Sequence, residues 1–178
     1  MISRMLVNKT TIKSRNGMVT AMHPLAAKVG ASILKAGGNA ADAAVATAFA
    51  IGVVEPFMSG LGGGASIVIH DSKENLTKVI DGSVKVPGKA TEDMFALLEP
   101  DSQGSGVYGW RGTKNDEAET GYRSIAIPGA VDSYLLLHDK FGSMPLTQVM
   151  KPAIELASRG FPIDWYVFFT CASSLPRL

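Results

Sequence analysis

With 178 residues, 46% apolar and 19% charged, the chain is long enough for one domain with a real core and has an ordinary globular composition. A formal net charge of +1 gives no electrostatic case for a nucleic-acid partner or an acidic membrane surface. The single cysteine, Cys171, excludes an internal disulfide framework and a cysteine-based metal site, and reads as a small core residue.

Residues 1–16 form a polar lead with no continuous apolar run. No secretory leader is predicted there, so the expected location is cytoplasmic. Met18–Met22 is a short strand candidate ending at His23-Pro24, where His23 can help a helix start. Proline at the first helical position opens a predicted helix over Pro24–Ala36, with Leu25, Val29, Ile33 and Leu34 on its apolar face. Gly37 is a natural residue to close it. The next stretch, GGNAADAAVATAFAIGVVEPFMSGLGGG from Gly37 to Gly64, organises the chain. Asn39 sits at an N-cap and Asp42 at the capping-box position three residues on. From Ala40 to Val54 almost every side chain is apolar, which predicts a helix buried on all faces. It is too short to span a bilayer, so no membrane partner is expected. Glu55 precedes the helix-stopping Pro56 and is expected to make a structural hydrogen bond.

After the glycines, Ala65–Asp71 and Leu76–Asp81 read as a hairpin turning at Ser72–Asn75. Ile67 and Ile69 share one face and Val68 the other, the pattern of a strand covered on both sides. Thr91 is positioned to cap a short helix through Leu98. The stretch from Pro100 to Gly121 turns polar around Tyr108 and Trp110 and reads as a long exposed loop. Tyr122–Ile127 is a strand candidate and Ala130–Phe141 a helix, with His138 on its face. Leu146–Ser158 contains Pro152 and should kink or divide. A closing segment from Asp164, a plausible cap, is rich in bulky apolar residues.

Gly60-Leu61-Gly62-Gly63-Gly64-Ala65 can be scored as a dinucleotide fingerprint, but the order here is helix, glycines, strand. That is the reverse of what places a helix N-terminus on a pyrophosphate, and the lysine of a phosphate-binding loop is absent. Tight packing is the better reading of these glycines. His23, His70 and His138 have no metal-ligand spacing, so neither a metal nor a cofactor is expected.

Several motifs, in one unbroken order, carry a family resemblance. They are Met22-His23-Pro24-Leu25-Ala26, then GGNAADAAVA, GVVEP, SGLGGG and SIVIHD, then Asp81-Gly82 with Pro87 and Ala90-Thr91. Ile127-Pro128-Gly129-Ala130-Val131, Lys151–Ala157 and Gly160-Phe161-Pro162 follow. The set resembles the N-terminal part of the large subunit of gamma-glutamyltranspeptidases. The resemblance implies an α+β fold, part of a four-layer αββα N-terminal-nucleophile hydrolase sandwich that is incomplete in this chain. On that basis, residues 1–16 are the lead and residues 17–178 a partial large-subunit domain.

The family implies amide cleavage by a threonine exposed through self-cleavage, its own amine acting as base. The acyl group then passes to water or an amine. The substrate would be a small amide or peptide, and the missing downstream region a partner. No such threonine motif occurs in this chain. Thr10-Thr11 is followed by Ile12 rather than histidine and precedes the large-subunit motifs, so no catalytic residue is expected here. The resemblance also places an arginine, paired with the substrate's α-carboxylate, after the Asp81-Gly82 step. Ser83 stands there instead, so glutamyl specificity does not carry over. Arg111, beside Trp110, and Arg123 are the candidate replacement cations, though both read more simply as surface residues. An acylase with a non-glutamyl donor, or a non-catalytic module binding through the Pro100–Gly121 loop, are the alternatives.

Overall fold

The computed structural model describes residues 11–99 and 110–175. It resolves into two compact units, one comprising residues up to Glu55 together with those from Phe141 onward, the other Pro56–Lys140.

The first unit is helical. Helix α1 (Pro24–Lys35) is capped by His23, whose Nδ1 accepts from the Leu25 N–H at 3.1 Å. Gly37, at φ +94°, follows its C-terminus in the left-handed region that glycine favours. Helix α2 (Ala40–Val54) has the complete capping box: Asn39 Oδ1 accepts from the Asp42 N–H at 3.0 Å, and Asp42 Oδ2 accepts from the Asn39 N–H at 2.9 Å. Helices α1 and α5 (Leu146–Arg159) both pack on α2. The core here is small-residue packing, with Ala26, Val45, Ala46, Ala50 and Val149 fully inaccessible to solvent. Gly30 lets α1 meet α2 closely; a Cβ there would overlap Thr47 Oγ1. Helix α6 (Trp165–Ser174) starts at Asp164, whose Oδ1 accepts from the Val167 N–H at 2.9 Å.

The second unit holds a short helix α3 (Pro56–Ser59), then the glycine loop, then strands β1 (Ala65–Asp71) and β2 (Leu76–Gly82). The strands pair antiparallel, from Ala65↔Gly82 at one end to Asp71↔Leu76 at the turn. Asn75 takes a positive φ of 50° in that turn. Helix α4 (Ala130–Phe141) completes this part. Among the described residues, no helix is long and apolar enough to cross a membrane.

Several expectations are corrected. Met18–Met22 has no strand partner among the described residues, and pairing is what defines a strand. Helix α2 is not closed on every face, since Ala44 is exposed and Ala48 and Ile51 are half-buried. The sheet is not covered on both sides either: Val68 and Val79, directly opposite each other, are 70% and 66% exposed. Residues 91–98 are not helical. The Thr91 hydroxyl donates to Asp93 instead of accepting from a backbone N–H, and Leu97 bridges Thr113. Tyr122–Ser124 is a 3₁₀ turn after Gly121 at φ +92°, so among the described residues only Ile127 of the predicted strand bridges another segment, at Lys85. Pro152 sits inside a single 14-residue helix rather than dividing it. Neighbouring Val149 and Ala153 are buried, and that packing offsets the one lost helical hydrogen bond. Cys171 is exposed, not in the core. Thr10, Tyr108 and residues 100–109 of the Pro100–Gly121 loop lie outside the described residues.

Helix α6 turns Trp165, Phe168 and Phe169 outward, at i, i+3 and i+4, each more than 60% exposed. Apolar surface of this kind drives association. The isolated chain should therefore bind a hydrophobic dye and self-associate, and Phe168→Ser with Phe169→Ser should lower dye fluorescence several-fold. A dye-silent monomer at tens of micromolar would contradict this.

Candidate functional site around the glycine loop

Three glycines converge in the second unit. The first is Gly64, at the start of β1. A Cβ there would stand 3.0 Å from both the Gly82 carbonyl oxygen and the Val84 nitrogen. Gly82, at the end of β2, faces Ser133 and the Gly129 carbonyl, which would lie 2.8 Å from an added Cβ. Gly129, just before α4, leaves no room for a side chain against the Gly82 carbonyl. The Gly63 carbonyl accepts from the N–H groups of Gly129 (3.2 Å) and Ala130 (3.0 Å), tying the loop to the first turn of α4. Gly64, Gly82 and Gly129 thus bring two backbones and a helix into contact, so the close packing expected of the glycine run is seen at Gly64, whereas Gly62 has nothing within 4 Å of an added Cβ.

That junction presents Asp81 and Ser83 on its exposed side. Ser83 donates twice to Asp81 Oδ1, from its N–H at 3.0 Å and its hydroxyl at 2.6 Å. The Ser83 hydroxyl, then its amide, hold the Asp81 carboxyl below its ordinary value of 3.8, helped by the charge of Lys85 and opposed by slight desolvation. Lys85 and Ile127 exchange both backbone hydrogen bonds, at 3.0 and 2.9 Å, which fixes the chain leaving the site. At this position the surface therefore offers a carboxylate with a nearby lysine.

The arginines are spent elsewhere. Arg111 Nε donates to the Leu98 carbonyl at 3.0 Å, and its Nη2 donates to the same oxygen. Arg123 pairs with Glu117, donates to the Met94 carbonyl and lies 5.5 Å from the centre of the Phe95 ring. Among the described residues, no hydrogen bond or ion pair joins either arginine to Ser83 or Asp81. Sequence reasoning missed the Asp81–Ser83 turn and Lys85. The signal was present, because aspartate two residues before a serine is a standard side-chain-to-backbone turn. Glu55 also departs from expectation: it is buried, and its Oε2 has no hydrogen-bond partner among the described residues.

The helix–glycine loop–hairpin order, with α4 docked on the loop, defines part of an α+β N-terminal-nucleophile hydrolase fold. The crystal structure of Helicobacter pylori gamma-glutamyltranspeptidase superposes with a TM-score of 0.80 at 34% identity, over 94% of this chain and 45% of that one. Residues 26–178 match the gamma-glutamyltranspeptidase family model, and the chain belongs to that family. It is 41% identical over 151 residues to the glutathione hydrolase proenzyme of Bacillus subtilis strain 168, covering 84% of this chain and 24% of that protein. It is 44% identical over 153 residues to the acylase ACY 1 proenzyme of Pseudomonas sp. strain V22, covering 85% and 26%. The chain thus spans about a quarter of the length of these relatives.

Proposed function

We propose that this chain is the N-terminal part of the large subunit of a gamma-glutamyltransferase-like hydrolase. The complete protein cleaves an amide through an acyl-enzyme and passes the acyl group to water or an amine. The family match over residues 26–178 carries this reading. The nucleophile belongs to the region beyond this chain, so the chain alone should give background rates on gamma-glutamyl anilides and simple amides. Turnover that disappears with Thr11→Ala would overturn that.

One observation favours the acylase branch within the class. Where the family's arginine would meet an α-carboxylate, the Ser83 hydroxyl is already donated to Asp81, leaving a carboxylate on the surface with Lys85 nearby in place of a bidentate cation. Two carboxylates at close range repel, so a donor without an α-carboxylate fits better.

The experiment joins residues 17–178 to the remainder of the Bacillus subtilis relative. The chimera is assayed on a gamma-glutamyl anilide and on an acyl anilide lacking the α-carboxylate. Ser83→Arg should shift preference toward the gamma-glutamyl donor by at least about tenfold, since hydrogen bonds to charged groups contribute ~1.5–3 kcal/mol. Unchanged preference would place Ser83 outside the donor pocket.

A further inference from the structure

One imidazole stands between the starts of two helices in the first unit. His23 is 5% exposed and occupies the N-cap of α1, where its carbonyl accepts from the Ala27 N–H at 3.2 Å. Pro24 has no N–H, so the Leu25 N–H is the first donor of the helix that needs an acceptor. His23 Nδ1 supplies it at 3.1 Å. A ring nitrogen that accepts carries no proton, so the neutral ring holds its hydrogen on Nε2. That nitrogen lies 3.9 Å from Asp164 Oδ2. Asp164 caps α6 through its other oxygen, Oδ1, which accepts from the Val167 N–H at 2.9 Å. The Phe161 ring meets the imidazole edge to face, with 6.2 Å between centroids.

A second proton on the ring has one place to go. It enters on Nδ1, displaces the Leu25 N–H and leaves that donor without its acceptor. The positive charge then stands at the N-terminus of α1, the end of a helix that disfavours a cation. The same charge faces the Asp164 carboxylate, which favours it, and makes Nε2–H a stronger donor toward Oδ2. Among the described residues, Asp164 is the charged side chain within ion-pair distance of His23. Lys28 and Lys35 of α1, Asp42 of α2, and Lys151, Glu155 and Arg159 of α5 form no ion pair with it, and α6 carries no charged residue.

We propose that His23 is a proton-driven latch between α1 and α6. Neutral, it caps α1; protonated, it releases the Leu25 N–H and engages Asp164. Acid therefore loosens the first turn of α1 and holds the start of α6 more firmly. Histidine is the side chain whose ordinary range makes this exchange available between about pH 5 and 8. The step moves one proton from solvent to Nδ1 and breaks no covalent bond. The latch stands on the geometry of the first unit and not on the family reading.

The test follows amide hydrogen exchange of the 178-residue chain by mass spectrometry at low micromolar concentration. Protection is compared at about pH 8 and about pH 5.5, either side of the ordinary histidine range and above that of carboxylates, after correction for the intrinsic pH dependence of exchange. Protection at Leu25 should fall at least about threefold at the lower pH, the equivalent of losing an N-cap, and protection at Val167 should rise. His23→Asn keeps an acceptor at the cap but gains no proton, so both responses should vanish in it. Asp164→Asn keeps the capping oxygen of α6 without its charge, so the Val167 response should vanish and the Leu25 response remain. Circular dichroism of each variant checks that the helices persist. Equal Leu25 protection at the two pH values would mark the imidazole as a fixed cap and overturn the proposal. So would the absence of a rise at Val167, a pH response unchanged in His23→Asn, or a Val167 response that survives in Asp164→Asn. Should His23→Asn fail to fold, the unsubstituted chain and Asp164→Asn decide the matter between them.

Discussion

Asp42→Ala should unfold the N-terminal turn of α2 and cost about 3 kcal/mol or more, read as a lowered urea midpoint for loss of helical circular dichroism at low micromolar protein. Asp42 is completely inaccessible to solvent. Beyond the capping box, it accepts from the Ser143 N–H at 3.1 Å, from the Ser143 hydroxyl at 2.6 Å and from the Met144 N–H at 3.3 Å. One carboxylate thus caps a helix and pins a loop a hundred residues away. Truncation strands four donors at once, which is why its cost exceeds that of an ordinary cap. Ser143→Ala removes one donor and should cost less, roughly 1.5–3 kcal/mol. Equal effects of the two substitutions would show that the carboxylate acts through Ser143 alone.

The same group carries a pH dependence. Burial pushes the Asp42 carboxyl up, but the Ser143 hydroxyl and the amides of Asn39, Ser143 and Met144 outweigh it and hold the carboxyl below its ordinary value of 3.8. A lowered folded value means that the stabilisation is present above the unfolded value and is lost as pH falls below about 4. Asp42→Ala should therefore flatten the acid limb of the stability profile.

Gly129→Ala is the second large effect expected. Its added methyl would collide with the Gly82 carbonyl and come within 2.8 Å of the Gly82 carbonyl carbon and 3.1 Å of the Ser83 oxygen. Backbone cannot rotate away as a side chain can, so β2 and the start of α4 must separate. Overpacking of this kind costs about 1–3 kcal/mol and often more where backbone is struck. The separation also disturbs the Asp81–Ser83 turn, so exchange of the Ser83 amide should accelerate together with the loss of stability. Gly88→Ala is the control, since nothing lies within 4 Å of a Cβ there. Similar losses from both would show that backbone freedom, not close approach, is what these glycines provide.

What was legible in the sequence is what neighbours along the chain decide. Asn39 with Asp42 at one end and Pro56 at the other delimit α2 correctly, because a cap and a proline act within one turn. His23-Pro24 and Asp164 start α1 and α6 for the same reason, and the four-residue turn before Leu76 sets the hairpin register. The ordered motifs between Met22 and Pro162 were enough to identify the family.

Pairing across distance was decided only by the tertiary structure. Nothing local tells that Asp42 answers to Ser143, or that Leu97 pairs with Thr113. Arg111 and Arg123 look like free cations in the sequence, yet each is held by a carbonyl, of Leu98 and Met94, that folding brings within reach. Conversely, Met18–Met22 has the alternation of a strand but no partner among the described residues. A strand exists only when a second backbone arrives to bond with it, and that is a property of the fold rather than of the segment.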